Sequence, residues 1–253
     1  MRAFIAMTRK EFLESMRTYK LLIVAAAFLL FGMLNPITAK IMPELLSSMM
    51  PKGINVTLDE PHAIDSWIQF YKNMSTQLIL FIIVFSGIVP GELSKGTLVH
   101  LLTKGLSRKV VIFSKFAAAV FVWTVGYLIC FGTTYAYTLY LLPGRLPNIA
   151  FSAFCMWLFG VLQISVMLLG GVLSGSIYGS LLLTGGFAGA LMLLNIVPKL
   201  AAYNPYLLSS GNVSLLTSDA DVSDFCASIC VSLVLILFFM ITSFLSFDKK
   251  QIL

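Results

Sequence analysis

The most restrictive feature of this sequence is the stretch between Arg145 and Lys199, which contains no charged residue. A helix needs about 20 apolar residues to cross the hydrocarbon core of a bilayer, which is about 30 Å thick. The stretch is long enough for two such helices joined by a short turn. Of the 253 residues, 58% are hydrophobic and 11% are charged. Soluble domains carry roughly a quarter charged residues, so the sequence predicts an integral membrane protein.

Charge-free runs of membrane-spanning length occur six times, which predicts an all-α integral membrane protein with six transmembrane helices. We place the spans at about 21–39, 73–90, 116–142, 149–173, 180–197 and 225–247, in one domain that covers 1–253. The connecting segments 41–72 and 199–224 mix proline, glycine and serine with apolar clusters. We expect these two loops to be extracellular and to contain short helices that lie on the membrane or dip into it.

Basic residues are distributed unevenly over the connecting segments. Short loops rich in Lys and Arg stay on the cytoplasmic side of a membrane. With both termini inside, five of the seventeen basic residues lie outside, which leaves twelve inside; the outer ones are Lys40, Lys52, Lys72, Arg145 and Lys199. This predicts a multi-pass protein with both termini cytoplasmic. The net charge of +6 then reflects topology and attraction to anionic lipids rather than nucleic-acid binding.

Residues 1–19 precede the first span and are amphipathic. One helical side can carry Phe4, Ile5, Phe12, Leu13 and Met16, while Arg2, Arg9, Lys10, Glu14 and Arg17 remain in water. A helix of this kind lies along the membrane surface. We therefore expect an N-terminal interfacial helix over residues 1–19.

Glycines recur at four-residue spacing around the junction of spans four and five. They stand at Gly171, Gly175 and Gly179, and again at Gly185 and Gly189. Small residues at this spacing allow helix backbones to approach closely. Packing within the chain and contact with a second subunit both fit the pattern.

The sequence lacks the residue patterns of several function classes. Neither histidine, His62 or His100, falls inside a predicted span, and no HExxH or GxSG motif occurs. We therefore predict no catalytic residue and no metal site, so that the chain is not itself an enzyme. The predicted central spans hold no Asp, Glu, Lys or His that could carry a coupling proton.

A nucleotide site on this chain is also not expected. The segment GELSKGT from Gly91 to Thr97 has the glycine spacing of a phosphate-binding loop but lacks the lysine before Thr97. Any ATP hydrolysis must then take place on another polypeptide.

The segment 91–109, between spans two and three, predicts a short cytoplasmic helix. Glu92 places an acid at its start, where the helix dipole favours one, and Gly105 ends it. Ser107 is placed to cap span three. One face of this helix is apolar and is formed by Leu98, Leu101 and Leu102. The other face is polar and is formed by His100, Thr103 and Lys104.

The pattern E-x-x-x-G-T-L-x-x-L-L-T-K-x-x-S-R begins at Glu92 and is followed by Lys115, seven residues after Arg108. It resembles the first cytoplasmic loop of type-2 ABC transporter permeases. These are the membrane subunits of many bacterial exporters. The RKEF segment at 9–12, the six-span layout and the long loop before span six resemble the same family. Gly105 departs from it, because proline is common at this position. The resemblance implies a bacterial plasma-membrane protein whose coupling helix, from Glu92 to Thr103, is seated in a groove of a separate ATPase.

The resemblance also implies the partners of this chain. Two copies of a cytoplasmic ATP-binding-cassette subunit would bind ATP and Mg, and this chain would bind no cofactor. A second permease copy or a paralogue would complete the pathway. The residues implied to contact the ATPase are Glu92, Lys95, Thr97, Leu98, His100, Leu101, Leu102, Lys104 and Arg108.

The predicted function is half of the export pathway for an amphipathic or hydrophobic cargo, such as an antimicrobial peptide, a lipid-like molecule or a drug. Candidate path residues are the polar side chains Gln77, Thr133, Thr134, Tyr135, Thr138 and Gln163. Gln163 is the strongest of them, because a lone amide near the middle of a span needs a partner. An interhelical hydrogen bond is the alternative for Gln163. For the whole chain, the alternatives are an ATP-independent channel or sodium-coupled carrier, and a membrane sensor or scaffold.

Overall fold

The computed structural model describes residues 2–49, 60–94, 96 and 107–249. These ranges are helical and contain no β-strand. The helices are α1 Arg2–Arg17, α2 Lys20–Met49, α3 Ala63–Phe85, α4 Pro90–Ser94, α5 Arg108–Leu141, α6 Ile149–Ser174, α7 Ile177–Leu194, α8 Pro198–Ala201, α9 Leu207–Ser210, α10 Asn212–Leu216 and α11 Cys226–Lys249, with a 3-10 helix at Val222–Phe225.

Within the described residues, six helical segments are long and apolar enough to cross a membrane, as the sequence predicts. They are Lys20–Leu45, Ala63–Ser94, Arg108–Leu141, Ile149–Ser174, Ile177–Leu194 and Val222–Lys249. The protein is therefore a multi-span helical membrane protein.

The helices of the first three spans are longer than the predicted spans. Helix α3 begins at Ala63 instead of about residue 73, and α5 begins at Arg108 instead of about residue 116. Helix α2 continues to Met49, so a large part of the predicted loop 41–72 is helical. The predicted spans stop at charged residues. A long charged side chain near a helix end reaches water while its backbone stays helical, so such a residue need not end the helix.

Helix α6 forms the centre of the bundle. Its side chains are buried almost continuously from Ser152 to Val172, and it packs against α3, α5, α7, α11 and the short helices α9 and α10. A helix that is hydrophobic on every side belongs inside a protein or a membrane. Because this helix has no charged residue, it can be surrounded by other helices on all sides.

Two hydrogen bonds show which helix ends lie together. The amide nitrogen of Ala63 donates to the carbonyl oxygen of Pro143 at 2.9 Å, which joins the start of α3 to the end of α5. The guanidinium of Arg108 donates to the carbonyl oxygen of Phe247 at 2.7 Å, which joins the start of α5 to the end of α11. Helix α1 packs against α2 and α5 at this second end, which we call the α1 end.

The predicted apolar side of α1 is partly packed against α5 and partly exposed. Phe4 and Phe12 pack against Phe113 and Phe121 of α5, with ring centroids 5.2 and 5.6 Å apart. Glu11 is buried on the side that faces the bundle. The other residues of the predicted apolar side are exposed, namely Ile5, Leu13 and Met16. The helix is thus docked on the bundle, and its position at the membrane surface stays a prediction.

The segment 199–224 contains the short helices that its composition suggests. Helices α9 and α10 pack against α3 and α6, and Leu208 and Leu215 are fully buried there. The side-chain amide of Asn204 donates to the carbonyl oxygen of Leu191 at 2.7 Å, which fixes the segment to the end of α7. These helices cover the bundle at the end opposite α1.

The two sets of glycines have different surroundings. A Cβ atom at Gly171 would lie 3.1 Å from Cδ of Pro90, and one at Gly179 would overlap Cβ of Ser174. The first set therefore allows close packing within the chain. At Gly185 and Gly189, a Cβ atom would meet no heavy atom within 4 Å in the described part of the protein. The second set lies on an open face of α7.

Candidate functional site

Charged side chains near the α1 end form one group, the Lys115 cluster, which consists of Lys10, Glu11, Glu14, Glu92 and Lys115. Lys115 is fully buried. Its ammonium lies 3.0 Å from Oε1 of Glu11 and 2.9 Å from Oε2 of Glu92. The ammonium of Lys10 contacts Glu92 and lies 2.8 Å from Oε2 of Glu14. Two ammonium groups thus face three carboxyl groups.

Three separate elements supply these groups. Helix α1 supplies Lys10, Glu11 and Glu14, the short helix α4 supplies Glu92, and α5 supplies Lys115 about two turns after its start. Removing one partner of a buried ion pair costs about 3–5 kcal/mol, because the other charge is left without compensation. The cluster therefore holds α4 against both α1 and α5.

Lys10 has a fixed positive charge in this cluster. Its partial burial disfavours the charged form, but hydrogen bonds from its ammonium to Glu14 and Glu92 outweigh this effect. Together they hold the pKa of Lys10 above its ordinary value. Lys10 therefore stays protonated across the physiological pH range.

Arg108 makes a second attachment at the α1 end. Its guanidinium donates to the carbonyl oxygens of Phe247 and Asp248, at 2.7 and 2.9 Å. It also lies 5.9 Å from the centroid of the Phe247 ring. The last carbonyl groups of a helix lack partners within the helix and carry partial negative charge. Arg108 thus caps the end of α11 and ties it to the start of α5.

Most of the residues predicted to contact an ATPase fall outside the described residues. These are Lys95, Thr97, Leu98, His100, Leu101, Leu102 and Lys104. The two that are described, Glu92 and Arg108, have partners within the same chain. A contact between any of these nine residues and an ATPase stays a prediction.

A cleft of about 490 Å³ lies between α3, α6, α7 and the segment that includes α9 and α10. We call it the Gln163 cleft. Its walls are largely apolar and include Leu78, Ile79, Ile82, Ile83, Phe159 and Leu181. Small-molecule sites typically have volumes of about 300–1,000 Å³, with apolar walls and a few polar groups. The size and lining of the cleft therefore fit an organic ligand.

Gln163 is a buried polar residue of this cleft whose side-chain atoms lack partners in the described part of the chain. Its side chain is 1% exposed, and neither Oε1 nor Nε2 has a hydrogen-bond partner in the described part of the chain. Leaving such a group unsatisfied costs about 1–3 kcal/mol. The interhelical hydrogen bond that was the alternative for this residue is not formed with any of those residues. A ligand that offers a donor and an acceptor can satisfy the amide.

Lys72 lines the same cleft near the end opposite α1. Its side chain is exposed and forms no ion pair within the described ranges. The neighbouring Tyr71 places it along the bundle, because the Tyr71 hydroxyl lies 2.7 Å from Oγ of Ser152. Gln163 follows Ser152 by eleven positions in α6, which corresponds to roughly 16 Å along a helix. The ammonium of Lys72 and the amide of Gln163 therefore lie at different depths along the bundle.

The other predicted path residues do not line this cleft. Thr134 and Thr138 are buried in hydrogen bonds between helices. The Asn35 amide donates to Thr134 at 3.0 Å, and the hydroxyls of Thr138 and Ser66 are 2.7 Å apart. These two threonines join α5 to α2 and α3.

The remaining three predicted path residues have separate positions. Gln77 is fully buried. Thr133 donates to the carbonyl oxygen of Ile129 in its own helix at 2.7 Å. Tyr135 is 42% exposed and lines a smaller cleft of about 350 Å³ on another side of the bundle. The structure therefore places only Gln163, of the six candidates, in the larger cleft.

The Lys115 cluster was not predicted from the sequence. The predicted central spans hold no Asp, Glu, Lys or His, but the third span begins at Arg108 instead of about residue 116 and therefore includes Lys115, which is fully buried. A signal was present in the sequence. Ser107 was assigned as the cap of span three, and a helix that starts there places Lys115 about two turns inside it. A lysine at that position needs a carboxylate partner.

Comparison with known proteins supports the membrane assignment and nothing finer. No family model matches this chain. The chain is similar to the uncharacterized transmembrane protein YxlG of Bacillus subtilis, with 23% identity over 141 residues. The match covers 54% of this chain and 54% of that protein, so it spans about half the length of each.

Proposed function

We propose that this chain is the permease subunit of an ATP-driven exporter of the type-2 ABC kind. Two copies of a separate cytoplasmic ATPase bind ATP and Mg, and a second permease copy or a paralogue completes the pathway. The chain itself performs no chemistry. Its cargo is an amphipathic or hydrophobic molecule.

The observation that carries this proposal is the attachment of the segment 95–106 at both of its ends. Before the segment, Glu92 contacts Lys115 of α5 and Lys10 of α1. After it, Arg108 binds the carbonyl oxygens of Phe247 and Asp248 at the end of α11. The segment that resembles a coupling helix is thus connected to α1, α5 and α11.

The strength of these attachments determines what happens when a partner moves the segment. Breaking one partner away from a buried ion pair costs about 3–5 kcal/mol, whereas packed helices slide by small amounts at lower cost. A displacement of the segment therefore moves α1 and α5 together with Glu92 and Lys115. This is the property that a permease needs if ATP-driven motion of another subunit is to change its cavity.

The orientation follows from the same proposal. The α1 end faces the cytoplasm of a bacterial cell, and both termini lie on that side of the plasma membrane. Exposed basic residues at this end, such as Arg9, Arg17 and Lys109, agree with the excess of positive charge on cytoplasmic loops. An ATPase in the cytoplasm can then reach the segment 95–106.

The Gln163 cleft supplies a surface for the cargo. It lies beside the open face of α7, because Gly185 belongs both to the cleft lining and to that face. Small residues without neighbours favour close approach of another helix. A second permease copy that packs on this face would place its own cleft nearby, so that two clefts border one pathway.

Ion-coupled carriers also contain buried ionisable residues, so Lys115 bears on the carrier alternative. The position of Lys115 favours the exporter. It lies at one end of the bundle, and two carboxyl groups from other elements contact it at 3.0 and 2.9 Å. Lys115 thus ties α1 and α4 to α5 and does not line the Gln163 cleft.

Co-expression with an ATP-binding-cassette ATPase, which we expect a neighbouring gene to encode, tests this function. We expect the ATPase to co-elute with the tagged wild-type chain. Substituting Leu101→Asp places a charge on the predicted apolar anchor and should abolish co-elution, whereas Leu101→Met should preserve it. The membrane chain itself should elute at the same volume in all three cases.

A transport measurement separates the exporter from the carrier. Liposomes that contain both proteins should accumulate cargo only with ATP. The proposal is overturned if no ATPase co-elutes and liposomes with this chain alone accumulate solute against a gradient.

A further inference from the structure

We propose that the Gln163 cleft binds an anionic amphiphile with a long apolar chain and an uncharged hydrogen-bonding group partway along that chain. This inference rests on the proposed transport function and specifies the class of molecule that the site accepts. It concerns a site formed by one chain, and its binding step needs neither ATP nor an ATPase.

The apolar chain is required by the walls of the cleft. Isoleucine and leucine side chains from α3 and α7, together with Phe159 of α6, form a large apolar part of the lining. Burying apolar surface contributes about 25 cal/mol per Å². Water does not fill a space of this kind favourably, since a buried water needs two to four polar partners. A flexible hydrocarbon chain matches the lining.

The uncharged polar group is required by Gln163. The amide has both a donor and an acceptor, and neither is used within the described ranges. A hydroxyl group can accept from Nε2 and donate to Oε1. A charged group at this depth would be disfavoured, because no ionisable side chain of the cleft lining lies beside Gln163 to compensate it.

Lys72 is the reason that we propose an anionic head group. This lysine is the one ionisable cation among the cleft-lining residues, and it has no carboxylate partner in the described part of the chain. It lies roughly 16 Å along the bundle from Gln163, by the helical rise between Ser152 and Gln163. A carboxylate or phosphate at Lys72 and a hydroxyl at Gln163 therefore belong to one elongated molecule.

The test uses the purified full-length chain in a non-ionic detergent, without ATP or ATPase, and counts bound molecules by native mass spectrometry. The probe is 12-hydroxystearate, whose carboxylate and hydroxyl are separated by about the required length. Stearate lacks the hydroxyl, and methyl 12-hydroxystearate lacks the charge. We expect 12-hydroxystearate to bind about 3- to 10-fold more tightly than stearate and about 2- to 5-fold more tightly than the ester.

Two variants assign these preferences to their residues. Gln163→Leu should bind 12-hydroxystearate and stearate equally, while it keeps the preference for the carboxylate over the ester. Lys72→Met should bind 12-hydroxystearate and its methyl ester equally, while it keeps the preference for 12-hydroxystearate over stearate. Matched controls are Gln69→Leu in α3 and Lys199→Met in α8, neither of which lines the cleft. Both controls should reproduce wild-type binding.

Phosphatidylglycerol is an anionic membrane lipid whose acyl chains carry no hydrogen-bonding group partway along. It should therefore displace the bound probe no better than stearate does. Displacement as effective as that by 12-hydroxystearate itself would overturn the inference. The inference is overturned if Gln163→Leu retains the hydroxyl preference or Lys72→Met retains the carboxylate preference. Because no ATPase is present, this failure is distinct from failure of the ATPase to co-elute.

Discussion

The carboxylate of Glu92 and the ammonium of Lys115 lie 2.9 Å apart, with Lys115 fully buried. The two residues stand on either side of the segment 95–106. Their contact fixes the distance between the end of the second span and the first turns of the third. The second and third spans are therefore tied together at the α1 end.

Substituting Lys115→Met should strongly destabilise the protein. The substitution leaves Glu11 and Glu92 buried without their shared cation, which should cost about 3–5 kcal/mol. The measurement is the thermal unfolding midpoint of the purified chain in detergent. Lys109→Met removes an exposed lysine of the same helix, and we expect a change within about 0.5 kcal/mol. If Lys115→Met and Lys109→Met change the unfolding midpoint equally, the Lys115 cluster contributes little to stability.

The effects of Glu92→Gln and Lys115→Met should not add. Once one charge is absent, removing the other no longer breaks the Glu92–Lys115 pair, although the pairs with Lys10 and Glu11 are still affected. The double variant should therefore be more stable than the sum predicts. Contacting residues typically show coupling energies of about 0.5–3 kcal/mol. A double-mutant cycle on unfolding free energies measures this coupling. Additive effects would mean that the two groups do not interact energetically.

The contribution of Lys10 should be independent of pH from about pH 7 to pH 9. Its folded pKa is raised above the unfolded value, which is about 10.4. The stabilisation is therefore complete below the unfolded pKa and is lost only as pH rises through the folded pKa. Because the side chain is 39% exposed, we expect at most about 1 kcal/mol.

The measurement for Lys10 compares unfolding midpoints of the wild type and Lys10→Met across this pH range. A difference that shrinks steadily between about pH 7 and pH 9 would contradict a raised pKa.

Gly160 should not tolerate even alanine. A Cβ atom at this position would overlap the indole ring of Trp123, whose Nε1 donates to the carbonyl oxygen of Trp157 at 3.2 Å. We expect Gly160→Ala to cost about 1–3 kcal/mol, which is typical of overpacking. Gly186→Ala is the matched control, since no heavy atom in the described part lies within 4 Å of its Cβ position. Loss of stability in the control alone would refute this packing argument.

The bounds of the central helix α6 were predicted closely because they depend on residues next to it in the sequence. The predicted span 149–173 corresponds to α6 at Ile149–Ser174. Asn148 and Gly175, which border it, both have left-handed backbone conformations that stop a helix. The start of α3 was misplaced because Lys72 was read as the edge of a span, although a charge on a helix surface does not end the helix.

The two sites differ in how far sequence alone could define them. A single amide side chain in an otherwise apolar span is visible in the sequence itself, so Gln163 could be identified as a candidate site residue. The partners of Lys115 come from α1 and α4, and no pattern in a single sequence shows that Glu11 and Glu92 meet there. For the same reason, the walls that α7 and the segment around Tyr206 contribute to the cleft could not be foreseen.

Helix α6 is enclosed in part by α7 and α11, which follow it along the chain. During synthesis, α6 thus leaves the ribosome before these neighbours exist, and lipid must solvate the surface that they later cover. Its uncharged side chains allow this, but the Gln163 amide finds no hydrogen bond in hydrocarbon. Insertion of α6 therefore precedes most of its helix contacts, and the core of the bundle is completed only when α11 has emerged.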